Sequence, residues 1–368
     1  MAINLRGYMT IRLFFLLIAI FAMQSSHAVT VDNLYKAEIV LPLIDSEQKV
    51  IEKAYDLAVE QVLTKVSGDE AAVQKILPLA KKSVAKWVAQ HSITDEQNLI
   101  ELDDAIYSAK KVVVSFYSQS IDQFLFEHDA PVWGKSRPSV LLWMIEQKQF
   151  QRQIAGVQSP SDMLAEITRN AEQKGVPIYA PLQDDVDRSA LTASDLWGFF
   201  ETTIREASRR YETDTISVLK VIELDQGYEG TLQVLFQSEP TVRIELQGQD
   251  ELELAEKATQ LLAKLFSDRY ASRKNSGEET QIDIQVTNIV NHEALDQVQG
   301  YLKKLGIVQD VYPSMVDGSV VRFTVSLNDS LSKLINIISL DSLIIKESAE
   351  SNGSNELTPN LQTYKYNG

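Results

Sequence analysis

Two breaks in the sequence limit what this chain can fold into. The first is Pro131-Val132-Trp133-Gly134-Lys135-Ser136-Arg137-Pro138, with two prolines and a glycine in eight residues. The second is the polar stretch around Asn275-Ser276-Gly277. Proline and glycine at this density interrupt helices and strands alike. The chain therefore reads as a series of units, each too short to share one continuous core. A length of 368 residues agrees, because single cores stop growing near ~250–300 residues.

A leader precedes these units. Arg6 and Arg12 flank the start of an uninterrupted apolar run, Leu13 to Met23, and Ser26-His27-Ala28 follows with small residues at the −3 and −1 positions. This is the pattern of a secretory signal, with cleavage expected between Ala28 and Val29. The run is too short to span a bilayer, which takes ~20 apolar residues. No later run is longer, so the mature chain is expected in the periplasm and not spanning a membrane.

The element pattern predicts three small α/β and α+β domains in series with mixed sheets. Residues 29–135 read as β-ααα-ββ-α, with a long helix from Ser46 to Gly68, shorter helices at 70–77 and 79–90 around Pro78, and strands at 99–107 and 111–117. Residues 136–273 read as β-α-β-α-β-β-β-α, with an acidic loop at 181–192 and a helix from Ser194 to Arg210. Residues 274–346 follow the β-α-β-β-α-β order of a ferredoxin-like unit. Residues 347–368 are rich in Ser, Asn and Glu and are expected to be a disordered tail.

Charge and residue usage exclude much chemistry. The chain carries 51 acids against 35 Lys plus Arg, a net charge of −16, which disfavours nucleic acid as a partner. It contains no cysteine, so thiolate metal sites, disulfides and cysteine nucleophiles are out. The four histidines, His27, His91, His128 and His292, lie in separate regions. There is no nucleophile elbow, Walker loop or dinucleotide glycine motif.

Four features come nearer to a site. His292-Glu293-Ala294-Leu295-Asp296 imitates a zinc-protease helix but lacks a third ligand and sits where acids favour a helix N-terminus. Asp184, Asp185 and Asp187 form the densest acidic cluster, without the glycine a calcium loop needs, and Glu101, Asp103 and Asp104 form the second. Arg205, Arg209 and Arg210 read as complements to a helix C-terminus. Trp87, Trp143 and Trp197 fall in apolar elements and read as core. No catalytic, cofactor-binding or metal residue is assigned, and no cofactor is expected. Trp133, Gly134 and Pro138 are expected to form an interdomain hinge.

Several motifs together resemble a bacterial domain-of-unknown-function family, numbered 2066. They are Val31-Asp32-Asn33-Leu34-Tyr35, the helix end Val66-Ser67-Gly68-Asp69, Pro131-Val132-Trp133-Gly134 with Arg137-Pro138, and Arg210-Tyr211. The resemblance implies an exported protein of gammaproteobacteria with no assigned activity. The middle unit is similar in element order to the amino-terminal domain of the periplasmic Tol propeller protein and to lipoprotein activators of penicillin-binding proteins. The opening unit is similar to flagellar-assembly envelope domains. The leading expectation is a non-enzymatic scaffold or adaptor that docks envelope proteins. The alternatives are a cell-wall or carbohydrate hydrolase with a carboxylate pair, and a small-ligand binder in an interdomain cleft.

Overall fold

The computed structural model describes residues 29–237, 239–273, 280–347 and 361–368. The expected leader, with Ala28 of its cleavage site, lies outside the described residues; Val29 lies within them.

The first domain contains β1 (Val29–Thr30), β2 (Lys36–Pro42), α1 (Glu47–Ser67), α2 (Glu70–Trp87), β3 (Val88–Leu102), β4 (Ala105–Phe116) and α3 (Ser118–Glu127). Ser46 caps α1, accepting from the Lys49 amide, and Gly68 ends it at φ 67°. A side chain at Gly68 would be strained there and would also meet Ser267 Cβ at 2.8 Å and Trp133 Cε3 at 3.0 Å. The sheet order is β2-β4-β3, all antiparallel. Val59, Val62, Leu63 and Val66 of α1 pack on Val112 and Val114 of β4.

Two expectations for this domain are corrected. One helix runs through Pro78 where two short ones were expected. Pro78 is exposed, so water can take the carbonyl that loses its intrahelical donor. The expected strand 99–107 is two strands folded back at Asp103-Asp104, whose φ values of 52° and 60° suit a two-residue hairpin turn.

The central domain contains β5 (Ser136–Arg137), β6 (Val140–Lys148), β7 (Gln151–Ala155), α4 (Asp162–Lys174), β8 (Ile178–Tyr179), α5 (Asp185–Ala190), α6 (Ala193–Trp197), α7 (Glu201–Ser208), β9 (Thr215–Glu223), β10 (Tyr228–Leu235), β11 (Val242–Gly248) and α8 (Glu251–Tyr270). Its sheet order is β11-β10-β9-β6-β7, with β8 also pairing with β6. Here β6 runs parallel to β9 and is buried on both faces, hence its apolar run Val140 to Ile145. Helices α4 and α8 cover one face, and α6 and α7 cover part of the other.

The expected acidic loop contains a short helix, α5, capped by Asp184. The expected helix from Ser194 to Arg210 is broken at Gly198-Phe199, with Phe199 at φ 55°. Thr192, not Ser194, caps α6 through a reciprocal box with Asp195.

The third domain contains β12 (Thr280–Thr287), α9 (His292–Lys304), β13 (Val308–Asp317), β14 (Val320–Leu327), α10 (Leu331–Ser339), β15 (Ile344–Lys346) and β16 (Leu361–Tyr366). Its order, β13-β14-β12-β16-β15, departs from the ferredoxin-like arrangement, in which the last strand lies against the first. Strand β16 runs parallel to β12 and separates it from β15. This also corrects the expected tail: residues 361–366 are a strand, with Tyr364 and Tyr366 facing the core. The intervening residues 348–360 lie outside the described residues.

A buried carboxyl lies inside the first domain. Tyr35 donates through its hydroxyl to both oxygens of Asp122 on α3, at 2.8 and 3.0 Å. Burial outweighs this bond and pushes the Asp122 pKa up to about 6. A carboxyl raised on folding stabilises the native state below its unfolded pKa and loses that contribution as pH rises through the folded value. Relative to Asp122→Asn, the wild type should therefore lose about 3 kcal/mol between pH 4 and 6 and then level off. Parallel denaturant titrations of the two proteins measure this difference.

Candidate interaction surface

Strand β2 pairs with β4 as far as Pro42↔Ala109, and Leu43 N just beyond donates to Ser108 O at 2.8 Å. Past the Leu99↔Ser108 pair at its root, β3 and β4 continue with each other alone, through Ile100↔Tyr107, Glu101↔Ile106 and Leu102↔Ala105. Three such pairs extend about 10 Å. A bulge between Glu96 and Leu99 separates this arm from the supported sheet.

Alternation places Ile100, Leu102, Ala105 and Tyr107 on one face of the arm and Leu99, Glu101, Ile106 and Ser108 on the other. Leu99 is 65% exposed, Ile106 69% and Leu102 42%. An isolated two-stranded ribbon is marginal in water, and here its large apolar side chains face solvent. The predicted cluster Glu101, Asp103 and Asp104 belongs to this arm, where Asp103 and Asp104 form the turn.

The segment expected as a hinge forms a packed seam between the first two domains. Arg137 is fully buried and donates five hydrogen bonds, all to backbone carbonyls. Nε reaches Gly134 at 3.0 Å, Nη1 reaches Lys174 and Gly175 at 3.3 and 2.8 Å, and Nη2 reaches Lys65 and Trp133 at 2.8 and 3.0 Å. Lys65 and Lys174 end α1 and α4, so the guanidinium joins the negative ends of two helices. Burial pushes its pKa down, against a smaller upward effect of Tyr35.

Arg137 also lies 4.0 Å over the ring of Trp133, which is 1% exposed. Trp133 N donates to Val66 O at 2.8 Å, and Ser267 Oγ donates to Ser67 O at 2.6 Å. Pro138 is buried beside them, and Gly134 is exposed. At the edge of the seam, Lys174 bridges Glu70 and Glu256 at 2.9 and 2.8 Å. The motifs around Ser67-Gly68 and Trp133-Gly134, with Arg137, thus meet in one place as joining contacts rather than reacting groups.

Beside the seam, α1, α4, β1 and β8 enclose a cleft of about 680 Å³. Its lining includes Lys36, Lys65 and Arg169 together with Glu38 and Glu172. Lys65 Nζ is already committed, donating to the carbonyls of Asn33 and Lys36 at 3.3 and 3.0 Å.

The other predicted residues serve local structure. Arg210 binds Asp184 at 2.8 Å and Asp187 at 3.0 Å, so it is a salt-bridge partner of α5 and not simply a helix-end charge. Its hydrogen bond holds Asp184 down at about pKa 2. Asp187 is buried and also accepts from the Tyr211 hydroxyl at 2.5 Å. His292 and Asp296 meet each other at 3.5 Å on the exposed start of α9. His91 pairs with the Tyr55 hydroxyl at 2.8 Å, and His128 packs on Phe124. Among the described residues, no group of three or more His, Asp or Glu is placed to hold a metal ion.

Burial raises the Glu146 pKa, and Glu251 lies close enough that its charge also raises it, while Lys148 binds Glu251 at 2.6 Å. Neither residue lines the cleft beside the seam.

Trp143 is core, with Nε1 donating to Ser208 Oγ at 2.9 Å. Trp197, just before the break at Gly198, is half-buried: it packs on the core of the α6–α7 face while its ring also meets Arg152 and Lys220. Gly198 inside an apolar helical pattern was the available signal of that break.

No curated protein and no solved structure matches the chain. A family model described as a domain of unknown function (DUF8605) matches residues 28–134. That match covers the first domain as far as Trp133-Gly134, less than half of the chain, and the family is not the one numbered 2066 that the motifs suggested.

Proposed function

We propose that the chain is a non-enzymatic adaptor of the bacterial envelope, exported through a cleaved leader, and that its β3–β4 arm docks onto another protein. The observation that carries this reading is the apolar pair Leu99 and Ile106, 65% and 69% exposed on one face of the ribbon, at its root and on its free part. Burying those two side chains against a partner removes apolar surface from water at about 25 cal/mol per Å². The leader pattern at 1–28 and the motif resemblance to exported proteins support the location.

A photo-reactive residue at position 106, activated in intact cells, should crosslink to one envelope protein. The double variant Leu99→Asn/Ile106→Asn should lose that capture when the reactive group is moved to position 101. The variant's unfolding midpoint should stay close to wild type, since exposed substitutions shift stability by about 0.5 kcal/mol or less. Absence of a specific adduct at 106 in wild-type cells would reject the arm as the docking element. A mature chain recovered from the periplasm and beginning at Val29 tests the export reading separately.

The cleft of about 680 Å³ supports a second reading, a small-ligand site, because its size lies within the ~300–1,000 Å³ of ligand pockets. Its mixed charges favour a zwitterionic ligand over a simple anion.

A further inference from the structure

The open part of the central sheet carries a ladder of alternating cations and rings. Arg152 on β7 lies 3.8 Å from the Trp197 centroid, and Lys220 on β9 lies 5.2 Å from the same ring. Lys220 is also 5.2 Å from the Phe199 centroid, and Arg243 on β11 lies 4.4 Å from it. The order across the sheet is Arg152, Trp197, Lys220, Phe199, Arg243. The break in the helix at Gly198-Phe199 is what lays both rings on this face.

The three cations contrast with Lys110, Lys174 and Arg210, each held by two carboxylates. Lys110 contacts Glu47 and Asp95, Lys174 contacts Glu70 and Glu256, and Arg210 contacts Asp184 and Asp187. Among the described residues, no carboxylate comes within 4.0 Å of Arg152, Lys220 or Arg243. The two arginines hydrogen-bond to neutral side-chain amides. Arg152 Nε donates to Gln147 Oε1 at 3.1 Å, and Arg243 donates to Gln233 Oε1 at 3.1 and 2.7 Å. The register puts Glu229 and Glu245 on the same sheet face, and neither forms an ion pair with the three. Arg152 and Arg243 are exposed and Lys220 is half-buried.

We infer that this ladder is a docking surface for an acidic protein segment in extended conformation, with carboxylates at every third residue. Charge selects the occupant: three cations without carboxylate partners lie on one face of a chain with net charge −16. The rings select against a stacking ligand such as a sugar or a base, because cations already lie over them. Spacing accommodates the repeat. Two heads that share one ring lie within about 10 Å of each other. A polyproline-type segment rises ~3.1 Å per residue with three residues per turn, so its i and i+3 side chains point the same way ~9 Å apart. Phe150, 97% exposed at the turn before β7, adds an apolar contact at the Arg152 end.

This surface is separate from the β3–β4 arm, and its test does not need the arm's partner. The probe is a labelled twelve-residue peptide of Glu-Pro-Pro repeats, titrated into the full chain and followed by anisotropy and tryptophan emission. The expected result is saturable binding that weakens with added salt. Arg152→Gln/Lys220→Gln/Arg243→Gln together should weaken it tenfold or more. Arg152→Gln alone, on an exposed edge strand, should weaken it about two- to fivefold and guards against misfolding of the triple variant. Lys257→Gln, away from the ladder, should leave it unchanged. No binding to wild type, equal binding to the triple variant, or equal affinity for polyphosphate or heparin would each overturn the inference.

Discussion

Arg137→Met should lower the unfolding midpoint more than any other single substitution in the chain. The change removes a buried cation and leaves the carbonyls of Gly134, Lys174, Gly175, Lys65 and Trp133 without their donor. Bonds to a charged donor contribute about 1.5–3 kcal/mol each, and a buried acceptor left alone costs about 1–3 kcal/mol. Water entering the opened seam offsets part of that, so the net loss should be about 3–5 kcal/mol. For the two joined domains unfolding together the loss lowers the midpoint by roughly 6–20 °C. Arg137→Lys should recover less than half, because an ammonium cannot present the planar fork that reaches both helix ends. Lys135→Ala, on an exposed neighbour, is the control. Scanning calorimetry decides the matter, and an Arg137→Met midpoint equal to wild type would mean that the seam does not hold the domains together.

Ending the chain at Glu347 should unfold the third domain and spare the other two. This truncation removes β16, which lies between β12 and β15. The sheet then loses the parallel ladder to β12 and the side chains of Tyr364 and Tyr366, which are 1% and 6% exposed. Removing one large buried aromatic costs about 3–5 kcal/mol, and a small domain has only about 5–10 kcal/mol in total. Hydrogen exchange should show protection lost in β12 and β14 and kept in β6 and β9. A peptide of residues 358–368 added to the truncated chain should restore it. Full protection in β12 without β16 would show that the tail strand only decorates a complete sheet.

What was legible in the sequence follows short-range rules. Ser46 and Gly68 marked the ends of α1, because a cap and a left-handed glycine are local requirements. The run Val140 to Ile145 marked a strand buried on both faces. Errors arose where averaging hid alternation or where a partner decided the outcome. Tyr364-Lys365-Tyr366 alternates as a strand does, but the polar residues before it dominate the composition of the segment. Pro78 reads as a helix break, yet exposure let one helix continue through it. Asp103-Asp104 carried no glycine to announce a hairpin turn.

The candidate surfaces show the same division. The residues of the arm were visible as apolar and acidic positions, but only the end of β2 at Pro42 leaves Leu99 and Ile106 without cover. The ladder was not legible at all. Arg152, Lys220 and Arg243 are distant in sequence, and strand order brings them to one face. The motifs around Ser67, Trp133 and Arg137 stood out as words without meaning until α1 and α4 ended at the same guanidinium.

The amino-acid order alone determined the leader-like pattern, the alternation of helices and strands, the acid excess and the lack of cysteine. These depend on composition and on spacings of a few residues, which a chain carries whether or not it is folded. The tertiary structure alone decided that Arg137 joins two domains, that the last residues complete a sheet, and which side chains stay uncovered. Those outcomes depend on which distant segments compete for the same neighbour, and that competition is settled only when the chain closes on itself.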